Sequence, residues 1–149
     1  MRFLPVRRHL PHWEHPCGTV CLTWRLHRDQ DPLTELERDL VIEVIRRGDG
    51  VVGDVLAAVV MDDHVHAVVA LTSGWTCARV AQTWKSASAH RLTKAEGRRA
   101  PIWQRDYFDR WIADAGRVDR CIEYVLMNPR RRWPRAGSYQ WVIERRRVQ

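Results

Sequence analysis

Two imidazoles one residue apart, His64 and His66, lie in the run Val59-Val60-Met61-Asp62-Asp63-His64-Val65-His66-Ala67-Val68-Val69-Ala70-Leu71. Apolar stretches on both sides of Asp62-Asp63 predict two buried strands joined by a tight turn. Alternate residues of a strand point the same way, so both rings share a face and can share one divalent cation. Two histidines leave such a site incomplete.

The segment that can complete it runs from Asp114 to Asn128 and reads as a helix. At one hundred degrees per residue, Val118, Cys121, Ile122, Val125 and Leu126 form a core-facing stripe. Arg117, Arg120, Tyr124 and Asn128 form a second stripe beside it, while Asp119 and Glu123 lie on the far flank. A phenol held near guanidiniums is suited to attack on a phosphodiester, because positive charge favours its nucleophilic phenolate form. A cation held by His64, His66 and the Asn128 carbonyl would polarise the scissile phosphate. Imidazole alone prefers zinc, so an expectation of Mg or Mn comes from the reaction rather than from the ligands. Tyr107, in an expected strand, and Tyr139, near the C-terminus, are the rival nucleophiles. Neither has an amide one helical turn further on.

Charge points to the same class of substrate. Twenty-five Lys plus Arg against 18 Asp plus Glu give a formal charge of +7, and Lys85 and Lys94 are the only lysines. Arginine's planar fork suits bidentate contact with phosphate and guanine. The arginines cluster at Arg98-Arg99, at Arg130-Arg131-Arg132 with Arg135, and at Arg145-Arg146-Arg147, as a phosphate footprint requires. Trp133 and Trp141 lie among these arginines, where they could stack on unpaired bases. Cys17, Cys21, Cys77 and Cys121 are too scattered for a disulfide framework and read as reduced, buried thiols. His9, His12 and His15 alternate with helix-breaking prolines and read as exposed. With no apolar run long enough for a signal peptide or a membrane span, the expectation is a soluble cytoplasmic protein.

The elements that must position these groups follow from pattern. Thr19 to His27 alternates as a first strand. Thr34, with Glu37 three residues on, makes a capping box for a helix whose buried stripe is Leu36, Leu40, Val41, Val44 and Ile45. Strands at Val51 to Met61 and His64 to Leu71 follow. Thr76 opens a second helix with Val80, Trp84 and Ala87 inward and Lys85 and Arg91 outward; His90 on it could be structural or could touch nucleic acid. A basic loop from Thr93 to Pro101, a short strand from Tyr107 to Ala113, and a last helix ending near Met127 or Asn128 complete the list, since Pro129 disfavours helix in the residue before it. The order is the split βαββαβ arrangement with one helix added: an α+β, ferredoxin-like antiparallel sheet with helices on one face, plus a C-terminal helix carrying the tyrosine. One domain spans residues 1–132, with 1–18 as an N-terminal arm. Residues 133–149 form a basic tail, ordered only in part or on binding a partner.

Three segments together resemble a known family. His64-Val65-His66 resembles the HUH motif. The segment Ile102-Trp103-Gln104-Arg105-Asp106-Tyr107-Phe108-Asp109 resembles a Trp-Gln-containing segment, and Glu123-Tyr124-Val125-Leu126-Met127-Asn128-Pro129 the Asp-Tyr-Ile-x-x-Asn-Pro segment, of the REP-associated tyrosine transposases, relatives of the IS200-type single-tyrosine transposases. The resemblance implies an HUH endonuclease fold and metal-dependent nicking and rejoining of single-stranded or hairpin DNA. It casts His64, His66 and Asn128 as ligands of Mg or Mn and Tyr124 as the nucleophile that forms a 5′-phosphotyrosine. Arg117, Arg120, Arg130, Arg131 and Arg132 are the expected DNA contacts. Members act as monomers or as dimers that exchange the tyrosine helix, so a homodimer is one expectation. The other reading is a domesticated hairpin-binding protein that no longer cuts. Two positions depart from the family pattern: Asp62 replaces a common proline, and Arg130-Arg131-Arg132 replaces small or apolar residues. Asp62 could add a carboxylate near the metal.

Overall fold

The computed structural model describes residues 18–145. Strands β1 (Thr19–Leu26), β2 (Gly53–Val60), β3 (His64–Leu71), β4 (Trp103–Ile112) and β5 (Val142–Glu144) form one sheet in the order β4-β1-β3-β2-β5. Every pairing is antiparallel. Helices α1 (Glu35–Gly48), α2 (Cys77–Glu96), α3 (Ala115–Leu126) and α4 (Asn128–Arg132) complete the chain. The first four strands thus have the expected ferredoxin-like order.

Strand β3 is buried on both sides, so both faces of the sheet need a cover. One face, with Val20, Leu22, Trp24, Val65, Ala67 and Val69, packs on α1 and α2 through Val41, Ile45, Val80 and Trp84. Trp24 sits between Trp84 and Trp103, with ring centroids 6.0 and 6.2 Å away. The opposite face, with Cys21, Val59 and Val68, is covered by Cys121 and Val125 of α3. His64 and His66 have the parity of Val68, so they look toward α3.

The Thr34–Glu37 capping box forms as expected. The buried stripe of α1 differs: Leu36 is 66% exposed, whereas Glu37 and Ile42 are buried. Glu37 can turn inward because Arg98, from beyond α2, meets it in an ion pair and also bonds the Asp31 and Pro32 carbonyls. Helix α2 runs into the first part of the expected basic loop, to Glu96, and ends where Gly97 takes a left-handed φ of 68°. Ala87 is exposed and Ser88 takes its inward place, accepting a 2.9 Å hydrogen bond from Trp103 Nε1. That contact belongs to a β4 that starts at Trp103 rather than at Tyr107. Helix α3 ends at Leu126 with Met127 as its C-cap, as expected, and Pro129 belongs to the separate short α4 that follows. The proline occupies the first turn of α4, where a missing N–H costs nothing.

The segment after α4 folds back over the sheet edge instead of trailing. Its strand β5 pairs with Ala57, Ala58 and Val59 of β2. Tyr139 donates a 2.6 Å hydrogen bond to the Val60 carbonyl and stacks on Trp133 at 5.6 Å. Trp141 is 8% exposed, donates to Asp39 at 2.7 Å, and lies under Arg38 at 4.1 Å. Trp133 and Trp141 therefore stack on neighbours within the fold rather than standing free for bases. The expectations for Cys17, His9, His12, His15, Arg146 and Arg147 fall outside the described residues. Cys21, Cys77 and Cys121 are buried. Among the described residues no helix is long and apolar enough to cross a membrane.

Candidate active site

Register brings the site together. His66 pairs with Thr23 of β1, and Thr23 in turn with Phe108 of β4, while His64 pairs with Arg25. Helix α3 crosses this face, and its last turn and the start of α4 place Tyr124 and Asn128 over the histidines. Thr23, Arg25, His64, His66, Phe108, Tyr124 and Asn128 line one open cleft of about 310 Å³. The four residues expected to carry the chemistry, distant in sequence, share this space.

The two imidazoles meet edge to face with centroids 4.6 Å apart, and Tyr124 stands 6.0 Å from His66. Each ring has a partner at Nδ1: Asp63 Oδ1 lies 2.6 Å from that of His64, and Thr23 Oγ1 lies 2.6 Å from that of His66. Such partners fix ring orientation and leave Nε2 as the ligating nitrogen. Burial pushes the His66 pKa down to about 3, aided by His64 and the Arg25 guanidinium and opposed by a hydrogen bond to Asn128 and by Asp63. The ring is neutral at ordinary pH, as ligation requires.

Asn128 Nδ2 donates to the Tyr124 carbonyl at 2.9 Å, which leaves its side-chain oxygen for the histidine side of the cleft. Among the described residues no group of three or more His, Cys, Asp and Glu side chains could hold a metal. The donor set is therefore two imidazoles and one amide oxygen, which fits a divalent cation that keeps positions open for substrate oxygens.

The five expected DNA-contact arginines fall into different places. Arg117 and Arg120, on the first turns of α3, line a second cavity of about 170 Å³ with Arg110, Ile112 and Cys121. Arg117 also pairs with Asp114 at 3.3 Å. On α4, Arg130 is exposed, Arg131 lies over the Tyr124 ring at 4.4 Å, and Arg132 reaches Asp62 at 3.3 Å. Asp62 is thus engaged by an arginine. His90 sits on α2, across the sheet from the cleft. Of the rival tyrosines, Tyr139 packs between Trp133 and Trp141 with its hydroxyl on the Val60 carbonyl, and Tyr107 packs with the α1–α2 side of the sheet.

Thr23, Arg25, Phe108, Arg110 and Asp63 were not singled out by sequence pattern. A signal exists for two of them: Arg25 and Thr23 alternate with Leu22 and Trp24 in a strand that is otherwise apolar, so they must share the face opposite the tryptophan. Phe108 and Arg110 need the β1–β4 register, which sequence does not supply.

Several solved structures are similar to this one, among them two transposases. A REP-associated tyrosine transposase bound to a REP hairpin superposes with a TM-score of 0.63 at 21% identity, covering 85% of this chain and 75% of the other. A candidate transposase from Deinococcus radiodurans R1 superposes with a TM-score of 0.52 at 17% identity, covering 83% of this chain and 97% of that one. No curated protein matches the chain significantly. The IS200-like transposase family matches residues 35–128, a stretch that begins with α1 and ends on Asn128. From the histidine pair to the asparagine, the chain belongs to the IS200-like transposase family.

Proposed function

We propose that the protein nicks and rejoins single-stranded DNA at palindromic hairpins, with Tyr124 as nucleophile. The observation that carries this reading is the convergence of Tyr124, Asn128, His64 and His66 on one cleft from elements far apart in the chain. The family supports a transposase, and the similar protein solved with a REP hairpin supports a folded single strand as substrate.

In this reading His64, His66 and Asn128 would hold Mg or Mn, which would supply Lewis-acid polarisation of the scissile phosphate. Arg25, exposed at the cleft beside His64, binds a non-bridging phosphate oxygen and balances the charge that gathers in the transition state. Arg131 holds the Tyr124 ring from above and limits its rotamers before substrate arrives. Tyr124 Oη loses its proton to solvent and attacks phosphorus. The Tyr–O–P bond forms as the bond from phosphorus to the 3′-oxygen breaks, and that oxygen takes up a proton to leave as a free 3′-hydroxyl. Rejoining is the reverse attack of a 3′-hydroxyl on the 5′-phosphotyrosine.

The test is a cleavage assay on hairpin oligonucleotides labelled at either end, with Mg or Mn. Covalent protein carrying only the 3′-side fragment, and none with Tyr124→Phe, supports the reading. Hairpin binding with no cleavage at any metal concentration would leave a binding protein instead.

A further inference from the structure

A second cavity lies along α3 on the N-terminal side of Tyr124. Phe108, which lines the cleft, and Arg110 are alternate residues of β4 and project from the same face, the one under α3. Arg110 lines the neighbouring cavity with Arg117 and Arg120. Along α3, Arg120 and Arg117 precede Tyr124 by about 6 and 10 Å of helix rise. Across the sheet, Phe108 lies two strands from His66, about 10 Å. The two cavities lie near each other along α3 and β4, with Phe108 lining the first and Arg110 the second. The second is lined by three guanidiniums, of which Arg117 pairs with Asp114.

Building on the cleavage reading above, we propose that the two cavities form one channel, the track for the DNA strand on one side of the scissile phosphate. Phe108 stacks the base of a nucleotide flanking the reacting phosphate, and Arg110 and Arg120 hold the phosphate beyond it. A channel that alternates an aromatic face with guanidiniums recognises an unpaired strand through features every nucleotide carries, a π-face and a phosphate. A base-paired stem offers no free base face to Phe108, so the channel selects the single-stranded flank of a hairpin and leaves the stem outside. Sequence specificity must then come from elsewhere on the protein.

The test uses the full chain with Tyr124→Phe, so that binding is read without cleavage, and single-stranded oligonucleotides in which one phosphate at a time is a neutral methylphosphonate. The channel predicts loss of affinity at one or two adjacent positions on one side of the cleavage point only. At those positions Arg110→Gln/Arg120→Gln makes the neutral substitution silent, and its salt slope falls by about 0.7 for each lost phosphate contact. Phe108→Ala weakens binding about tenfold, and Phe108→Trp restores it. Both arginines stand at the cavity surface, and unchanged urea midpoints show that the variants fold. The proposal is overturned if the arginine variant responds to every methylphosphonate as the parent does, or if Phe108→Ala binds as tightly. Adduct formation by the wild-type chain is measured separately. An intact phosphate map without adduct removes the cleavage reading but keeps the track, and adduct with a featureless map does the opposite.

Discussion

Arg132 Nη2 lies 3.3 Å from Asp62 Oδ2, and this contact joins the two places where the chain departs from the pattern of the family it resembles. A carboxylate stands where proline is common before the histidine motif, and an arginine stands where small residues follow the Asn-Pro pair. The departures meet, and the contact ties the turn ahead of His64 to the short helix that begins with Asn128.

That tie predicts coupling. The pair is partly solvated, with side chains 49% and 17% exposed, so Asp62→Ala or Arg132→Ala should cost under about 1 kcal/mol of stability. Both should slow adduct formation, about tenfold if the helix shifts the reacting groups by a fraction of an ångström. The double variant should be no slower than the worse single one. A double-mutant cycle on the adduct rate checks this, and additive losses would show that the residues act apart.

Thr23 offers a test of the histidine pair that leaves both imidazoles in place. It is 2% exposed, and its hydroxyl is the partner of His66 Nδ1. Thr23→Val keeps the volume and removes that partner. Affinity for Mn should fall by about 10- to 100-fold in a calorimetric titration. An unchanged affinity would mean that ring orientation is set by packing alone.

Acid should loosen the joint between α1 and the segment that follows α2. Burial raises the Glu37 pKa, but its hydrogen bonds with Arg98 and Thr34 outweigh this, so the group sits below its ordinary value of 4.5. The unfolded chain therefore takes up the proton first. Stability from this pair is full above about pH 4.5 and is lost as pH falls further, toward the folded-state value. Glu37→Gln should be less stable at neutral pH by about 3 kcal/mol, because Arg98, 11% exposed at its side chain, loses its counter-charge. Its stability should also vary less between pH 5 and pH 3. Urea midpoints across that range check both signs.

The C-terminal segment should prove part of the domain's stability. Ending the chain before Ala136 removes β5, Tyr139 and Trp141, and uncovers the edge of β2 at Ala57 to Val59. A loss of about 3 kcal/mol or more is expected from the buried tryptophan alone, with aggregation through the bare strand edge. Thermal unfolding and light scattering of the truncated chain measure both.

What sequence reveals here tracks which forces are local. The capping box at Thr34, the strand at His64 and the stripes of α3 depend on neighbours a few residues apart, and pattern finds them. Tyr124 and Asn128 share a helical stripe in sequence, and they share a cleft in the fold. Leu36 and Glu37 exchange roles because Arg98, 61 residues away, neutralises the glutamate. No window of local sequence contains that partner. Phe108 and Arg110 escape notice for the same reason, since their face is set by the pairing of β4 with β1. By composition the tail reads as ordered only in part or on binding a partner, and what orders it is distant in sequence: the open edge of β2, Asp39 and the side chain of Arg38.

The most direct measurement of the central claim is peptide mapping of the protein–DNA adduct trapped on a hairpin oligonucleotide. With three tyrosines in the chain, digestion and mass spectrometry can place the attached nucleotide on one of them. The structure predicts a 5′-phosphate ester on Tyr124 alone, abolished by Tyr124→Phe and dependent on His64 and His66. An adduct on Tyr107 or Tyr139, or one that survives Tyr124→Phe, would contradict the account.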